Sequence, residues 1–201
     1  MIAINEQIMT FRRQLRSRLD PMRYEHSVSV SYTCVALAMR YGCDLNKAEI
    51  AGLLHDCAKH FTDNELIARC EKHGIELTKE ELKAPAVIHA KYGAYLAEKK
   101  YGIEDGEILS AIRCHTTGKP GMTMLEKIVY IADYIEPRRD KAENLSRMRY
   151  LAFQDMDRTI YEILAGTLEY LKKKGVPVDP MTQEAFAWFE KLIQGQTVKG
   201  E

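Results

Sequence analysis

Apolar residues recur along this chain at helical spacing, and the alternating β-branched stretches that would indicate strands are nearly absent. The clearest apolar stripe follows Thr123 and stops at Pro137. Its apolar members are Leu125, Ile128, Val129, Ile131, Ala132 and Ile135. A second stripe, which Asp44 can cap, carries Ala48, Ile50, Ala51, Leu53 and Leu54. The pattern predicts an all-α fold.

Capping residues and helix breakers set the predicted helix ends. In three capping boxes a threonine accepts a free backbone N–H while a glutamate reaches back to the cap. The boxes are Thr62…Glu65, Thr78…Glu81 and Thr123…Glu126. Pro85 suits the first turn of another helix. Besides the helices that these boxes and Asp44 start, predicted helices cover residues 1–19, 24–41, 85–102, 105–115, 145–174 and 182–193.

Length and charge limit the classes of function. The 201 residues favour one domain with a substantial core. Lysine plus arginine number 29, as do aspartate plus glutamate, so the formal net charge is zero. That balance gives no support for non-specific binding of nucleic acid or of a membrane surface. Any anion that the protein handles is therefore expected to be small and held by specific residues.

Cysteine usage indicates a reducing compartment. The five cysteines are Cys34, Cys43, Cys57, Cys70 and Cys114. Their odd number and the absence of a C-x-x-C pair argue against a disulfide framework or a cysteine zinc site. No secretory signal opens the chain, and no apolar run approaches the roughly 20 residues that span a bilayer. We therefore expect reduced thiols, a cytoplasmic location and no membrane partner.

Four titratable residues on separate predicted helices are candidate metal ligands. His26 lies early in one helix, and the pair His55-Asp56 lies late in another. Asp133 interrupts the apolar stripe that follows Thr123, and a buried carboxylate needs a partner or a metal. Adjacent helical side chains point about 100° apart, so His55 and Asp56 can meet one ion only at a helix end. Each residue alone fits a structural role, but the ordered set predicts a metal site.

Four short segments carry a family resemblance. They are R-Y-E-H at 23–26, L-L-H-D-C-A-K at 53–59, H-T-T-G at 115–118 and A-D-Y-I-E-P at 132–137. Their combination resembles the HD-domain superfamily of metal-dependent phosphohydrolases, and within it the symmetrical bis(5′-nucleosyl)-tetraphosphatases. The resemblance covers about residues 15–189 and implies one helical-bundle domain, 1–201, with a metal site between helices. Its core is expected at about 20–140, with C-terminal helices at about 145–193 packed on it.

The resemblance also implies an activity and a metal, neither of which spacing alone predicts. The activity is hydrolysis of diadenosine tetraphosphate to two ADP. The metal is iron, as one ion or two, with manganese, cobalt or magnesium as substitutes. The implied ligands are His26, His55, Asp56 and Asp133. His89 and His115 lie where related enzymes hold a second metal or contact phosphate, but they fit a buried structural histidine and a helix C-cap as well.

The expected catalytic residues are Asp56, Lys59 and Asp133. Either carboxylate can bridge two metals or orient the attacking water, and Lys59 lies one turn after Asp56, where it can offset phosphate charge. The expected substrate contacts are Arg23, Lys59, His89, His115, Thr116, Thr117, Tyr134, Arg139, Lys174, Gly175, Val176 and Pro177. A solvated surface role stays open for Lys59 and for the basic run that ends at Lys174.

Three functions fit these residues. The first is a dinucleoside tetraphosphatase, with a dinucleoside polyphosphate as substrate and ADP as product. The second is a phosphohydrolase of another nucleotide, such as guanosine tetraphosphate. The third is a metal-containing helical module that binds a nucleotide or a protein without turnover. The sequence leaves a homodimer open.

Overall fold

The computed structural model describes residues 6–142 and 144–197, and within these ranges every regular element is helical. The helices are α1 Glu6–Arg16, α2 Pro21–Tyr41, α3 Leu45–Leu54, α4 Asp63–Lys72, α5 Lys79–Lys83, a 3-10 turn Pro85–Val87, α6 Ile88–Tyr101, α7 Gly106–Cys114, α8 Met124–Ile135, α9 Leu145–Leu151, α10 Met156–Lys174 and α11 Pro180–Thr197. The all-α prediction is confirmed. The first five residues of the predicted helix 1–19 lie outside the described residues.

Capping contacts explain where the helices begin. All three predicted capping boxes form with both reciprocal hydrogen bonds. Several predicted boundaries were wrong: α1 ends at Arg16 instead of residue 19, and α11 covers Pro180–Thr197 instead of 182–193. The helix predicted from residue 24 begins at Pro21, because the Asp20 carboxylate accepts the backbone N–H of Arg23. The segment predicted as one helix over 145–174 forms α9 and α10, because Asp155 caps a new helix within it.

The centre of the core lies where α2, α3, α7 and α8 pack together. Leu53 of α3, Ile112 of α7 and Ile128 of α8 are fully buried. Helices α2 and α3 lie close together at Gly52, where an added Cβ would lie only 2.9 Å from the backbone of Ser31. A side chain at this position would force the helices apart, so glycine permits the contact that brings the end of α3 beside α2.

The C-terminal helices extend this core. Helix α10 packs on α8 and α11, and Ala185 and Phe189 of α11 are buried. Gly118, in the loop after α7, has a φ of 65°, and a Cβ there would lie 3.3 Å from the Cβ of Ala185. Helix α11 therefore supports the loop that follows His115.

Two further expectations concern cysteines and membranes. All five cysteines are free thiols, and four of them are buried, as predicted. Across residues 6–142 and 144–197, no helix combines the length and the apolar character that crossing a membrane requires.

Candidate metal centre

Four predicted ligands converge where α2, α3 and α8 meet. The Nε2 atom of His26, on α2, lies 3.1 Å from Oδ1 of Asp133, on α8. Directly after α3, Nε2 of His55 lies 3.6 Å from Oδ2 of Asp56 and 3.9 Å from Oδ1 of Asp133. His26 Nε2 is 3.8 Å from the same Asp56 oxygen. The ligand atoms of His26, His55 and Asp56 are close enough to share one metal ion, and Asp133 lies within 3.9 Å of both histidines.

The end of α3 allows two adjacent side chains to face one point. The helix ends at Leu54, and residues 55–60 form turns, in which the Lys59 N–H donates to the carbonyl of Asp56 at 3.0 Å. Such turns are tighter than an α-helix and change the direction of successive side chains. His55 and Asp56 therefore meet at the site, as the sequence analysis required of a helix end.

His89 and His115 lie on the other side of the Asp56 carboxylate. Oδ1 of Asp56 is 3.2 Å from Nε2 of His89 and 3.6 Å from Nε2 of His115. The two Nε2 atoms are 3.2 Å apart. The Thr116 hydroxyl completes this half of the site, at 3.3 Å from Nε2 of His89 and 3.2 Å from Nε2 of His115. Asp56, His89 and His115 thus form a second group able to hold an ion.

The same local contact orients three of the histidines. Nδ1 of His55, His89 and His115 lies 2.7, 2.7 and 2.8 Å from the backbone carbonyl three residues earlier. Because a carbonyl only accepts, each Nδ1 donates, and in a neutral ring Nε2 then carries the lone pair. Burial lowers the pKa of His55 to about 4 and also lowers the pKa of His89. Neutral rings with Nε2 turned inward are the metal-binding form of histidine.

Buried polar atoms in the cluster indicate which kind of ligand would stabilise it. Among the described residues, no hydrogen bond satisfies the buried Nε2 of His55. Burial alone would lower the pKa of His26, but the carboxylates of Asp133 and Asp56 outweigh it and raise that pKa. The site therefore attracts positive charge. Imidazoles and carboxylates together fit a divalent first-row metal.

Glu136 is a site residue that the sequence analysis missed. Its Oε1 lies 3.3 Å from Nδ1 of His26, and its Oε2 accepts the backbone N–H of Arg138 at 2.7 Å. The side chain is buried directly after the end of α8. Its place in the A-D-Y-I-E-P segment was the signal that could have found it. Glu136 orients His26, because a hydrogen bond at one ring nitrogen fixes the direction of the other.

Two predicted substrate-binding arginines contact the ligand carboxylates. Nη1 of Arg23 donates to Oδ2 of Asp56 at 2.8 Å, and 39% of the Arg23 side chain is exposed. Nη2 of Arg139 donates to Oδ1 of Asp133 at 3.0 Å, and Nε of Arg139 donates to the Asp133 carbonyl at 3.0 Å. Both arginines place positive charge at the solvent-facing side of the cluster.

Other predicted substrate residues are placed differently. Lys59 is half-buried, and burial lowers its pKa while the nearby Asp56 carboxylate opposes that change. The Thr117 hydroxyl donates to the carbonyl of Gly118 at 2.9 Å, so this hydroxyl is already hydrogen-bonded within its own turn. The Tyr134 ring faces the guanidinium of Arg139, with 5.7 Å from the ring centre to the guanidinium carbon.

The segment after α10 is exposed. Its predicted substrate residues are Lys174, Gly175, Val176 and Pro177. The Lys174 ammonium lies 6.0 Å from the ring centre of Tyr170, one turn earlier on the same helix. The contacts described for this segment are therefore not with the metal ligands, and its role toward substrate stays a prediction.

A family model described as the HD domain matches residues 23–138, more than half of the chain. That range contains the whole cluster: His26, His55, Asp56, His89, His115 and Asp133. The chain belongs to the HD-domain family. The resemblance inferred from the four short segments is thereby confirmed.

Relatives of this HD-domain chain cover nearly all of it. The symmetrical bis(5′-nucleosyl)-tetraphosphatase of Bacillus subtilis (strain 168) is 41% identical over 184 residues, 90% of this chain and 95% of the relative. The protein of that name from Staphylococcus aureus (strain NCTC 8325 / PS 47) is 35% identical, over 89% and 92%. A crystal structure of a predicted HD superfamily hydrolase involved in NAD metabolism, from Clostridium acetobutylicum, has a TM-score of 0.87 at 37% identity, covering 95% of this chain and 99% of that one. This HD-domain protein is a hydrolase.

Proposed function

We propose that this HD-domain hydrolase splits diadenosine tetraphosphate symmetrically into two ADP molecules. The observation that carries the proposal is the cluster around Asp56, where four histidine Nε2 atoms lie within 3.8 Å of its two carboxylate oxygens. The identity of 41% with a relative named for this reaction supports the choice of substrate. A net-neutral chain with a local group of cations also suits a small polyanion rather than nucleic acid.

Iron is the metal that we propose for the cluster, with manganese, cobalt or magnesium as substitutes. A first ion would be held by His26, His55, Asp56 and Asp133, and a second by Asp56, His89 and His115. Bound there, the metal supplies a Lewis acid that lowers the pKa of a water molecule and polarises a phosphoryl oxygen. Asp56 presents one oxygen to each group, so its carboxylate would help to hold both ions.

Three basic side chains offset the charge of the polyphosphate. Lys59 is half-buried near Asp56, and Arg23 and Arg139 lie at the solvent-facing side. A guanidinium has five N–H donors, and Arg23 donates from Nη1 to Asp56, so further donors of the group would be available to a phosphate. Positive charge that is already in position needs no reorganisation when negative charge spreads in the transition state.

The position of the cut follows if one half of the substrate is held as ADP. In the proposal, Thr116, Arg139 and the segment 174–177 grip one base and two phosphates. The second phosphorus would then be the one that water attacks, and its bond to the oxygen of the other ADP would break. The same pocket binds the product, so ADP should inhibit competitively.

The cellular setting is part of the proposal. Five free thiols suit the reducing cytoplasm, where we expect the protein to act on a free nucleotide. The organisation as one domain over 1–201 and a homodimer both stay predictions.

A turnover assay with a panel of nucleotides tests the proposal. Iron-loaded protein should hydrolyse diadenosine tetraphosphate faster than guanosine tetraphosphate or ATP, and His55→Ala should be inactive. Faster hydrolysis of guanosine tetraphosphate would favour the second function. Tight binding of the dinucleotide without any product would favour the binding module.

A further inference from the structure

Arg149, on α9, is bonded to the turn that follows α8. Its Nε donates to the carbonyl of Ile135 at 2.9 Å. Its Nη2 donates to the carbonyls of Glu136 and Arg139 at 2.9 and 2.8 Å. One half-buried guanidinium thus donates hydrogen bonds to three backbone carbonyls between residues 135 and 139.

Side chains at both ends of that turn contact proposed ligands of the metal centre. Glu136 contacts Nδ1 of His26 at 3.3 Å. Arg139 contacts Oδ1 of Asp133 at 3.0 Å. Two proposed metal ligands on two different helices, α2 and α8, therefore depend on the conformation of the backbone that Arg149 holds.

The turn also has contacts of its own: the Arg139 N–H donates to the Glu136 carbonyl at 3.1 Å, and the Arg138 N–H donates to the Glu136 carboxylate at 2.7 Å. The last carbonyls of a helix have no partners within it, and Pro137 prevents α8 from continuing. On its outer side lies a cavity of about 540 Å³ that is lined by Ile135, Pro137, Arg149 and Phe153, together with residues of α2. Arg149 thus donates, beside this open pocket, to carbonyls that the end of α8 leaves without helical partners.

We propose that Arg149 is a positioning residue of the metal centre, acting through Glu136 and Arg139 on His26 and Asp133. The inference rests on the proposed function, because it assumes that these ligands hold a metal. Partners behind metal ligands set the ring direction and the basicity of those ligands, and losing one costs about 10- to 100-fold in metal affinity. Arg149 lies one step further out, so we expect an effect near the lower end of that range.

Cobalt titration tests the proposal without relying on activity. Metal-stripped wild type, Arg149→Met and Arg147→Met are titrated with Co²⁺ while the visible spectrum is recorded. Arg147 is the matched control, because it lies two residues earlier on α9 and its guanidinium pairs with Glu162. Methionine keeps the apolar stem in both variants but removes the donors. Thermal unfolding of the metal-free proteins reports the fold.

We expect Arg149→Met to raise the dissociation constant for Co²⁺ about tenfold and to change the visible bands, while Arg147→Met matches wild type. A wild-type dissociation constant and spectrum in Arg149→Met would overturn the positioning role. If Arg149→Met does not fold, Arg149→Lys takes its place. An ammonium cannot reproduce the guanidinium fork, so its dissociation constant should also rise, and a wild-type value would overturn the proposal.

A Co²⁺ titration of His55→Ala, run beside the others, separates this inference from the proposed function. If His55→Ala binds Co²⁺ as tightly as wild type does, the metal centre itself is misassigned. If His55→Ala loses Co²⁺ while Arg149→Met retains it fully, the metal centre stands and only the role of Arg149 falls.

Discussion

Oδ1 of Asp56 lies 3.2 Å from Nε2 of His89, while the other oxygen of the same carboxylate faces His26 and His55. One side chain thus joins two groups of potential ligands. Its position just after α3, between α2 and the His89 helix, makes this sharing possible. The first two predictions separate the two groups.

The first group should be required for tight metal binding. His55→Ala and Asp133→Ala each remove a ligand atom at the centre of the cluster, so we expect metal affinity to fall by at least about 100-fold. Elemental analysis of the purified variants checks this. His73→Ala, which removes a histidine that contacts Tyr95 away from the cluster, is the matched control and should keep its metal. Unchanged metal content in both ligand variants would refute the assignment.

The second group should hold a separate ion. Wild type is expected to bind two equivalents of metal and His89→Ala one, because Asp56 retains its contacts with His26 and His55. Equilibrium dialysis against Mn²⁺ measures the stoichiometry. One equivalent in wild type and in His89→Ala alike would leave His89 and His115 as phosphate contacts.

Lys59→Ala should lower turnover without removing the metal. The ammonium offsets charge in the transition state, and losing one such group costs about 100-fold in kcat in comparable sites. Kinetics at saturating metal, with metal content measured in parallel, check the expectation. Lys72→Ala, which changes an exposed lysine of α4, is the control. Equal kcat values in wild type and Lys59→Ala would contradict the catalytic role of Lys59 and favour its alternative role as a solvated surface residue.

A stability prediction concerns the loop after α7. Glu126 is buried, and burial alone would raise its pKa, but Lys119 at 2.7 Å and Ser110 outweigh this and lower it. Lys119→Met should therefore destabilise the fold by about 1 kcal/mol at pH 7, a small value because other donors to Glu126 remain and Lys119 is partly exposed.

The pH dependence of that effect has a definite sign. A glutamate whose pKa is lowered by folding stabilises the native state above its unfolded pKa of about 4.3. The contribution disappears as the pH falls through the lower folded pKa. The difference in unfolding free energy between wild type and Lys119→Met should thus shrink below about pH 4. A constant difference from pH 7 to pH 3 in denaturant titrations would contradict this assignment to Glu126.

Local signals explain what the sequence predicted well. Capping boxes are short-range, so the starts of α4, α5 and α8 could be placed from pairs such as Thr62 and Glu65. An aspartate within an apolar helix is also a local anomaly, and it identified Asp133. The helix class and the histidine–aspartate set could therefore be read without coordinates.

Long-range contacts explain what the sequence could not supply. Glu136 and Arg149 act by reaching across the fold to His26 and to backbone carbonyls, and such contacts leave no periodic pattern. The division of the cluster into two groups depends on which oxygen of Asp56 faces which ring. Those directions follow from helix packing, which becomes visible only in the folded structure.

The central claim is the symmetrical cut, and the products of a single turnover test it most directly. Metal-loaded protein in excess over diadenosine tetraphosphate is quenched within the first turnover, and the nucleotides are separated by anion-exchange chromatography. The account predicts ADP as the sole product, two molecules for each substrate consumed. AMP and ATP in equal amounts would contradict it.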